Sequence, residues 1–310
     1  MAVHGILSVT LDVPSLDEGV KFYTDAGLEA VIEDGIAHLR CVGQDRSSII
    51  LRGGMAKKQL HHVALRADGL DEIASRTEDA GGQVVPAPTG FADNGLWVTD
   101  PNGTLFHLIE HPADPDLAAT PPFEINGPGR ITRIRRSAML PATHYARVRP
   151  LRLGHVLLFS PDVMASVRFV TEALGMGLAD QAQDVIAFTC ARRNSDHHVL
   201  AFAKSPGIGF HHASFQVVDP DEVGRAGRAL LDKTGRGDWG VGRHTIGSNF
   251  FHYIQDPWGS WFEYYSDMDH IDDYALWSPT NYGMEDSLAN WGPAVPGDFV
   301  HNYEVEGTNA

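Results

Sequence analysis

Two stretches of this 310-residue chain follow one pattern in one order, and that repetition constrains the fold more than any other feature. Leu7-Ser8-Val9-Thr10-Leu11-Asp12-Val13-Pro14 leads into Val20-Lys21-Phe22-Tyr23-Thr24-Asp25-Ala26-Gly27. Gly154-His155-Val156-Leu157-Leu158-Phe159-Ser160-Pro161 leads into Val167-Arg168-Phe169-Val170-Thr171-Glu172-Ala173-Leu174-Gly175. Each copy reads as a strand followed by a helix. Ser15 with Glu18 three residues on forms a capping box, and Ser160 before Pro161 predicts a cap followed by proline in the first turn. Val163, Val167, Val170 and Leu174 then share one helical face. Both copies continue into a short strand ending at Cys41 or Cys190. Further on, His61-His62-Val63-Ala64-Leu65 answers His211-His212-Ala213-Ser214-Phe215, and Asp100-Pro101-Asn102-Gly103 answers Asp256-Pro257-Trp258-Gly259. Short strands with one or two helices per copy predict an α+β fold with largely antiparallel sheet.

The length favours two domains. Their expected extents are 1–115 and 151–275, joined by a linker over 116–150 that is rich in proline and carries Arg130, Arg133, Arg135 and Arg136. That basic run reads as a solvated connection rather than a phosphate site. Residues 276–310, with Trp277, Tyr282, Trp291, Pro293 and Pro296, form a non-repeat tail expected to pack over something, a candidate lid. A hydrophobic fraction of 43% and a charged fraction of 21% are ordinary for a globular protein, and no run is long enough to span a bilayer. The net charge of -16 argues against nucleic acid and anionic membranes as partners. Two cysteines are too few for a disulfide framework. Met1-Ala2-Val3-His4-Gly5-Ile6-Leu7-Ser8 lacks a basic segment followed by an apolar core, so a cytoplasmic location is expected.

The 16 histidines need locating. In the second copy, His155, His212 and Glu263 fall on predicted strands, and two imidazoles with one carboxylate suit a metal that keeps open positions for oxygen chemistry. His211 beside His212 is ambiguous, because alternation sends the two to opposite faces. His212 is preferred because it aligns with His155, each a histidine followed by apolar strand residues. The Asp256-Pro257-Trp258-Gly259 turn predicts a three-residue loop with a bulge at Gly259, which pairs Asp256 with Ser260 and, counting outward, Tyr253 with Glu263. In the first copy, Ser8, His62 and His107 occupy the places of His155, His212 and Glu263, and Trp97 that of Tyr253. The first copy is therefore expected to be structural, with His62 and His107 as structural histidines.

At these residues the sequence resembles the type I extradiol dioxygenases of the vicinal oxygen chelate superfamily, over residues 5 to 268. The resemblance is carried by Gly242-Arg243-His244, Ser248-Asn249-Phe250-Phe251-His252-Tyr253, Asp256-Pro257-Trp258-Gly259 and Trp261-Phe262-Glu263-Tyr264-Tyr265. It implies two domains, each of paired βαβββ modules forming an incomplete barrel, and ring cleavage of a catechol-type substrate with both atoms of O2. It implies His155, His212 and Glu263 as ligands of Fe(II), with Mn(II) an alternative for the same donor set. His198 is implied as the acid/base, with His244 and Tyr253 holding substrate and oxygen-derived groups, and Asn249 and Trp239 as further substrate contacts. Trp239 stands where members that bind a carboxylated side chain place an arginine, so a neutral or differently placed ring substituent is expected. A homo-oligomer, a tetramer or larger, is also implied. The competing readings are a glyoxalase-type isomerase, which draws ligands from both copies, and a non-catalytic binding module, which lacks the triad.

Overall fold

In the computed structural model, residues 2–112, 126–127, 129, 131–133 and 135–305 are described. The N-terminal half holds two βαβββ modules. The first is β1 (Val3–Val13), α1 (Leu16–Asp25), β2 (Glu29–Glu33), β3 (Ile36–Arg40) and β4 (Ile49–Gly53). The second is β5 (Gln59–Ala67), α2 (Leu70–Thr77), β6 (Gln83–Val84), β7 (Leu96–Thr99) and β8 (Leu105–Ile109). The C-terminal half repeats this with β9 (Arg152–Ser160), α3 (Val163–Glu172), β10 (Gly177–Ala182), β11 (Ile186–Cys190), an added β12 (Arg193–Asp196) and β13 (Leu200–Lys204). Its second module is β14 (Gly209–Gln216), α4 (Pro220–Thr234), β15 (Asp238–His244), β16 (Phe250–Gln255) and β17 (Trp261–Ser266). Beyond these modules come β18 (His270–Asp273) and, in the tail, β19 (Asn281–Tyr282) and β20 (Ala289–Trp291).

The sheet orders show how close the repetition is. The N-terminal sheet runs β2-β3-β4-β1-β5-β8-β7-β6, and the C-terminal sheet runs β10-β11-β13-β9-β14-β17-β16-β15 with β19 and β20 added at its two edges. The tail thus supplies a strand to each free edge, a placement the sequence did not reveal. Neighbours are mostly antiparallel, with parallel contacts at β1–β4 and β5–β8 and their counterparts β13–β9 and β14–β17. Neither sheet closes into a barrel. Among the described residues no helix is long and apolar enough to cross a membrane.

Local chemistry sets the helix starts. Ser15 accepts from the Glu18 backbone N–H, as the capping box predicts. At α3 the expectation is corrected: Asp162, not Ser160, caps the helix by accepting from the Ala165 N–H. Ser160 is still paired in the sheet, opposite Lys204, so its backbone cannot turn into a cap there. Val163, Val167, Val170 and Leu174 are all buried, as their spacing predicts.

The halves pack by exchange. Phe22 of α1 meets Phe262 of β17 edge-on at 6.3 Å, and Phe169 of α3 stacks on Phe106 of β8 at 6.4 Å. Tyr264 donates to the Ala26 carbonyl at 2.7 Å, and Asn102 donates to Ser166 of α3 at 2.9 Å. Each half's first helix thus touches the other half, and the principal core runs through both. The end of the expected first domain, 113–115, and part of the expected linker, 116–125 with positions 128, 130 and 134, lie outside the described residues, Arg130 included. Arg133, Arg135 and Arg136 are exposed, as a solvated connection requires.

Candidate metal centre

Strand register brings the three expected ligands to one face. Ser214 of β14 is opposite His155 of β9 on one side and Glu263 of β17 on the other. Residues opposite one another in a sheet point the same way, and His212 lies two residues from Ser214, on its face. The ligand atoms of His155, His212 and Glu263 all lie within 4.8 Å of one another. Glu263 Oε2 is 3.1 Å from His155 Nε2 and 3.5 Å from His212 Nε2. His212 Nε2 and Glu263 Oε2 are buried with no hydrogen-bond partner. Buried polar atoms are normally satisfied, so orphaned donor atoms converging from two imidazoles and a carboxylate fit a divalent cation.

The protonation of this set favours a ligand role. Burial first, then the neighbouring His211, push His212 well below the ordinary imidazole range, which keeps it neutral. Burial alone would raise the Glu263 carboxyl. The facing imidazoles of His155 and His244 outweigh that and hold it well below the usual carboxylate range. His211 faces the other way: its Nε2 lies 2.7 Å from the Phe299 carbonyl. A carbonyl oxygen only accepts, so the proton is on His211 Nε2. A neutral His211 then offers its Nδ1 lone pair to His212 Nδ1–H, at 2.7 Å, and His212 Nε2 is left bare toward Glu263.

Three polar groups surround the cluster. Tyr253 pairs with Glu263 across β16–β17, because Gly259 takes a φ of 95° and the Asp256 N–H donates to the Ser260 carbonyl, as the turn count predicts. Burial, then the negative Glu263, raise the Tyr253 phenol well above its usual value, so it stays a proton donor. His244 donates Nδ1–H to the Leu288 carbonyl at 2.6 Å, and its Nε2 meets the Tyr253 hydroxyl at 2.9 Å. The His198 ring lies 4.2 Å from the His155 ring, and burial with the nearby His155 hold it neutral. All six side chains except Glu263 line one pocket, whose other walls are His211, Ser287 and a larger set of apolar residues that includes Phe188, Ile246, Leu288 and Phe299.

Two residues expected at the substrate lie behind this layer. Asn249 is fully buried and donates to Glu263 Oε1 at 3.2 Å, so it orients the carboxylate rather than lining the pocket. Trp239 stacks on the Tyr253 ring at 5.5 Å and donates to the Pro293 carbonyl. It backs the phenol, because its strand sits one place further out in the sheet. Missed in the sequence were Phe299, Leu288 and His197, whose partners are distant in sequence. A signal for His197 was present in the recurring His-His dipeptides.

The N-terminal half holds no such set at the equivalent places. Ser8 opposes Ala64 and Ala64 opposes His107, the register of His155, Ser214 and Glu263. Trp97 stacks flat on His107 at 3.9 Å, and His107 Nε2 is taken up by the Asn94 carbonyl at 2.6 Å. Phe91 fills the remaining space against His62 and Trp97.

The sequence pattern of the Glyoxalase/Bleomycin resistance protein/Dioxygenase superfamily matches residues 152–264. Metapyrocatechase 2 of Cupriavidus necator is 36% identical over 306 residues, covering 98% of this chain and 93% of that protein. The chain belongs to the extradiol ring-cleaving dioxygenases. Among solved structures, the Mn(II)-bound glyoxalase of Novosphingobium aromaticivorans is 26% identical with a TM-score of 0.73, covering 96% of this chain and 94% of its own. Homoprotocatechuate 2,3-dioxygenase of Brevibacterium fuscum shares the fold with a TM-score of 0.74 at 18% identity, covering 96% of this chain and 81% of its own. The dioxygenase family binds a catalytic metal, and in this chain two histidines and one glutamate that could hold one converge in the second half.

Proposed function

We propose that this dioxygenase cleaves the ring of a catechol beside its hydroxyl pair, with both atoms of O2 entering the product and Fe(II) held by His155, His212 and Glu263. The observation that carries the reading is the asymmetry of the cluster: three protein donors approach from the sheet, and the opposite side faces a pocket bearing His198, His244 and Tyr253. Bound Fe(II) would gather the catechol oxygens and O2 and lower the pKa of the hydroxyl it binds. His198, neutral and beside His155, takes the proton of a substrate hydroxyl and returns it when the O–O bond breaks. The Tyr253 hydroxyl, 2.9 Å from His244 Nε2, would hold an anionic oxygen next to Glu263 by turning its O–H from His244 to that oxygen. The apolar walls exclude water and favour a ring without a charged substituent.

The isomerase reading lacks support in the first half, where Ser8 offers no ligand and His107 is held by the Asn94 carbonyl. Loading the protein with Fe(II) without oxygen, adding a panel of catechols and admitting oxygen tests the proposal. Oxygen uptake with a yellow ring-opened product is expected; no uptake with any catechol would refute it.

A further inference from the structure

Three adjacent histidine pairs recur in this chain, His61-His62, His197-His198 and His211-His212, and in each the two Nδ1 atoms are within hydrogen-bond distance, at 2.8, 3.0 and 2.7 Å. A shared N–H can belong to only one ring, so what the outer ring's Nε2 binds decides which nitrogen of the inner ring stays bare. At His211 the Phe299 carbonyl makes that decision. At His197 the partner is a carboxylate: His197 Nε2 is 2.9 Å from Asp180 Oδ2. Asp180 is itself held by the Thr280 backbone N–H, which donates to Oδ1 at 2.6 Å. The assembly is sealed, with His197 fully buried and the Trp277 ring edge-on to it at 5.4 Å.

We propose that Asp180 and His197 are positioning residues that fix the tautomer of His198, so that its Nε2 presents a lone pair to the substrate. The carboxylate accepts His197 Nε2–H, His197 Nδ1 accepts His198 Nδ1–H, and the remaining nitrogen of His198 is basic. The inference rests on the reading of His198 as the proton-transfer group. The rival arrangement, a cationic His197 donating through Nδ1, would reverse the relay and leave His198 Nε2 protonated. It would also bury a second cation near a divalent site, which a neutral relay avoids.

The Thr280 N–H makes a decisive isosteric change available. In Asp180→Asn the amide oxygen stays with Thr280, which turns the NH2 toward His197 Nε2. That nitrogen must then accept, His197 Nδ1 must donate, and His198 is forced into the opposite tautomer with no change of shape. The experiment uses the full chain loaded with Zn(II) as a diamagnetic stand-in, with 15N-labelled histidine, and assigns His198 by the signals lost in His198→Gln. Wild type is expected to show His198 protonated at Nδ1, and Asp180→Asn at Nε2. With Fe(II), Asp180→Asn is expected to lower kcat by about 10²-fold or more, as a stranded tautomer does in related carboxylate–histidine pairs. Iron content and anaerobic catechol affinity should be unchanged. Wild-type His198 protonated at Nε2, or an unaltered tautomer in Asp180→Asn, would overturn the relay, and the wild-type spectrum decides even if the variant fails to fold. Unchanged kcat in His198→Gln would instead remove the reading of His198 as the acid/base while the spectra still judge the relay.

Discussion

The two halves share one topology and one register, yet among the described residues only the second converges ligand atoms on a common point. At matching positions, Ser8, His62 and His107 stand against His155, His212 and Glu263. The first half fills the equivalent space with Phe91 and a Trp97–His107 stack, and it ties His107 to a backbone carbonyl. The second half leaves the space open, and Ser287, Leu288, Phe299 and Val300 of its tail line it. The same scaffold can therefore be spent on packing or on chemistry, and what decides is whether the face-sharing side chains satisfy one another or remain unsatisfied.

The contrast is sharpest for a ligand substitution. His155→Ala should abolish iron retention and with it oxygen uptake, measured by metal analysis after desalting, whereas Ser8→Ala should leave both unchanged. Next in size, His198→Gln should retain iron and lose kcat by about 10²–10⁴-fold; loss of iron instead would mean that the two roles are exchanged. In the first half the cost should fall on stability. Trp97→Ala removes a buried ring, 2% exposed, and should destabilise by about 3–5 kcal/mol in denaturant titrations while kcat stays within about threefold. Attempting to rebuild the site, with Ser8→His and His107→Glu together, should add no second equivalent of metal while Phe91 occupies the space; a second bound equivalent would break the comparison.

The smallest expected effect concerns pH. Burial, then the nearby His61, push His62 down to about 3 from an ordinary 6.5. The unfolded chain therefore binds a proton that the folded chain refuses between these values, and stability falls as pH drops from about 6.5 toward 3. Above 6.5 the group contributes no slope. His62→Gln should flatten that part of the pH dependence of unfolding, by less than about 1.4 kcal/mol per pH unit. A steeper slope in the variant would place the proton uptake elsewhere.

Much of the site was legible because it is carried by local rules. The Asp256–Gly259 turn sets the register that puts Tyr253 beside Glu263 across only ten residues. Strand alternation then predicts which side chains share a face, and the repeat supplies a control for each position. Belonging to a motif does not say how far a side chain stands from the pocket. Trp239 sits one strand further out, and Asn249 spends its amide on Glu263. The α3 cap was misjudged by two residues because the last residue of β9 was still committed to its ladder.

The sequence by itself determined the module order, the metal-bearing half and the ligand types, since periodicity, turn chemistry and donor identity are properties of neighbouring residues. Only the tertiary structure decided how those donors are protonated and enclosed. The Phe299 carbonyl that directs His211 lies 88 residues away, and the Leu288 carbonyl that directs His244 lies 44 away. Such partners meet only when the tail crosses the finished sheet from one edge to the other. No local pattern encodes that crossing, because each of its contacts depends on the fold that the others have already closed.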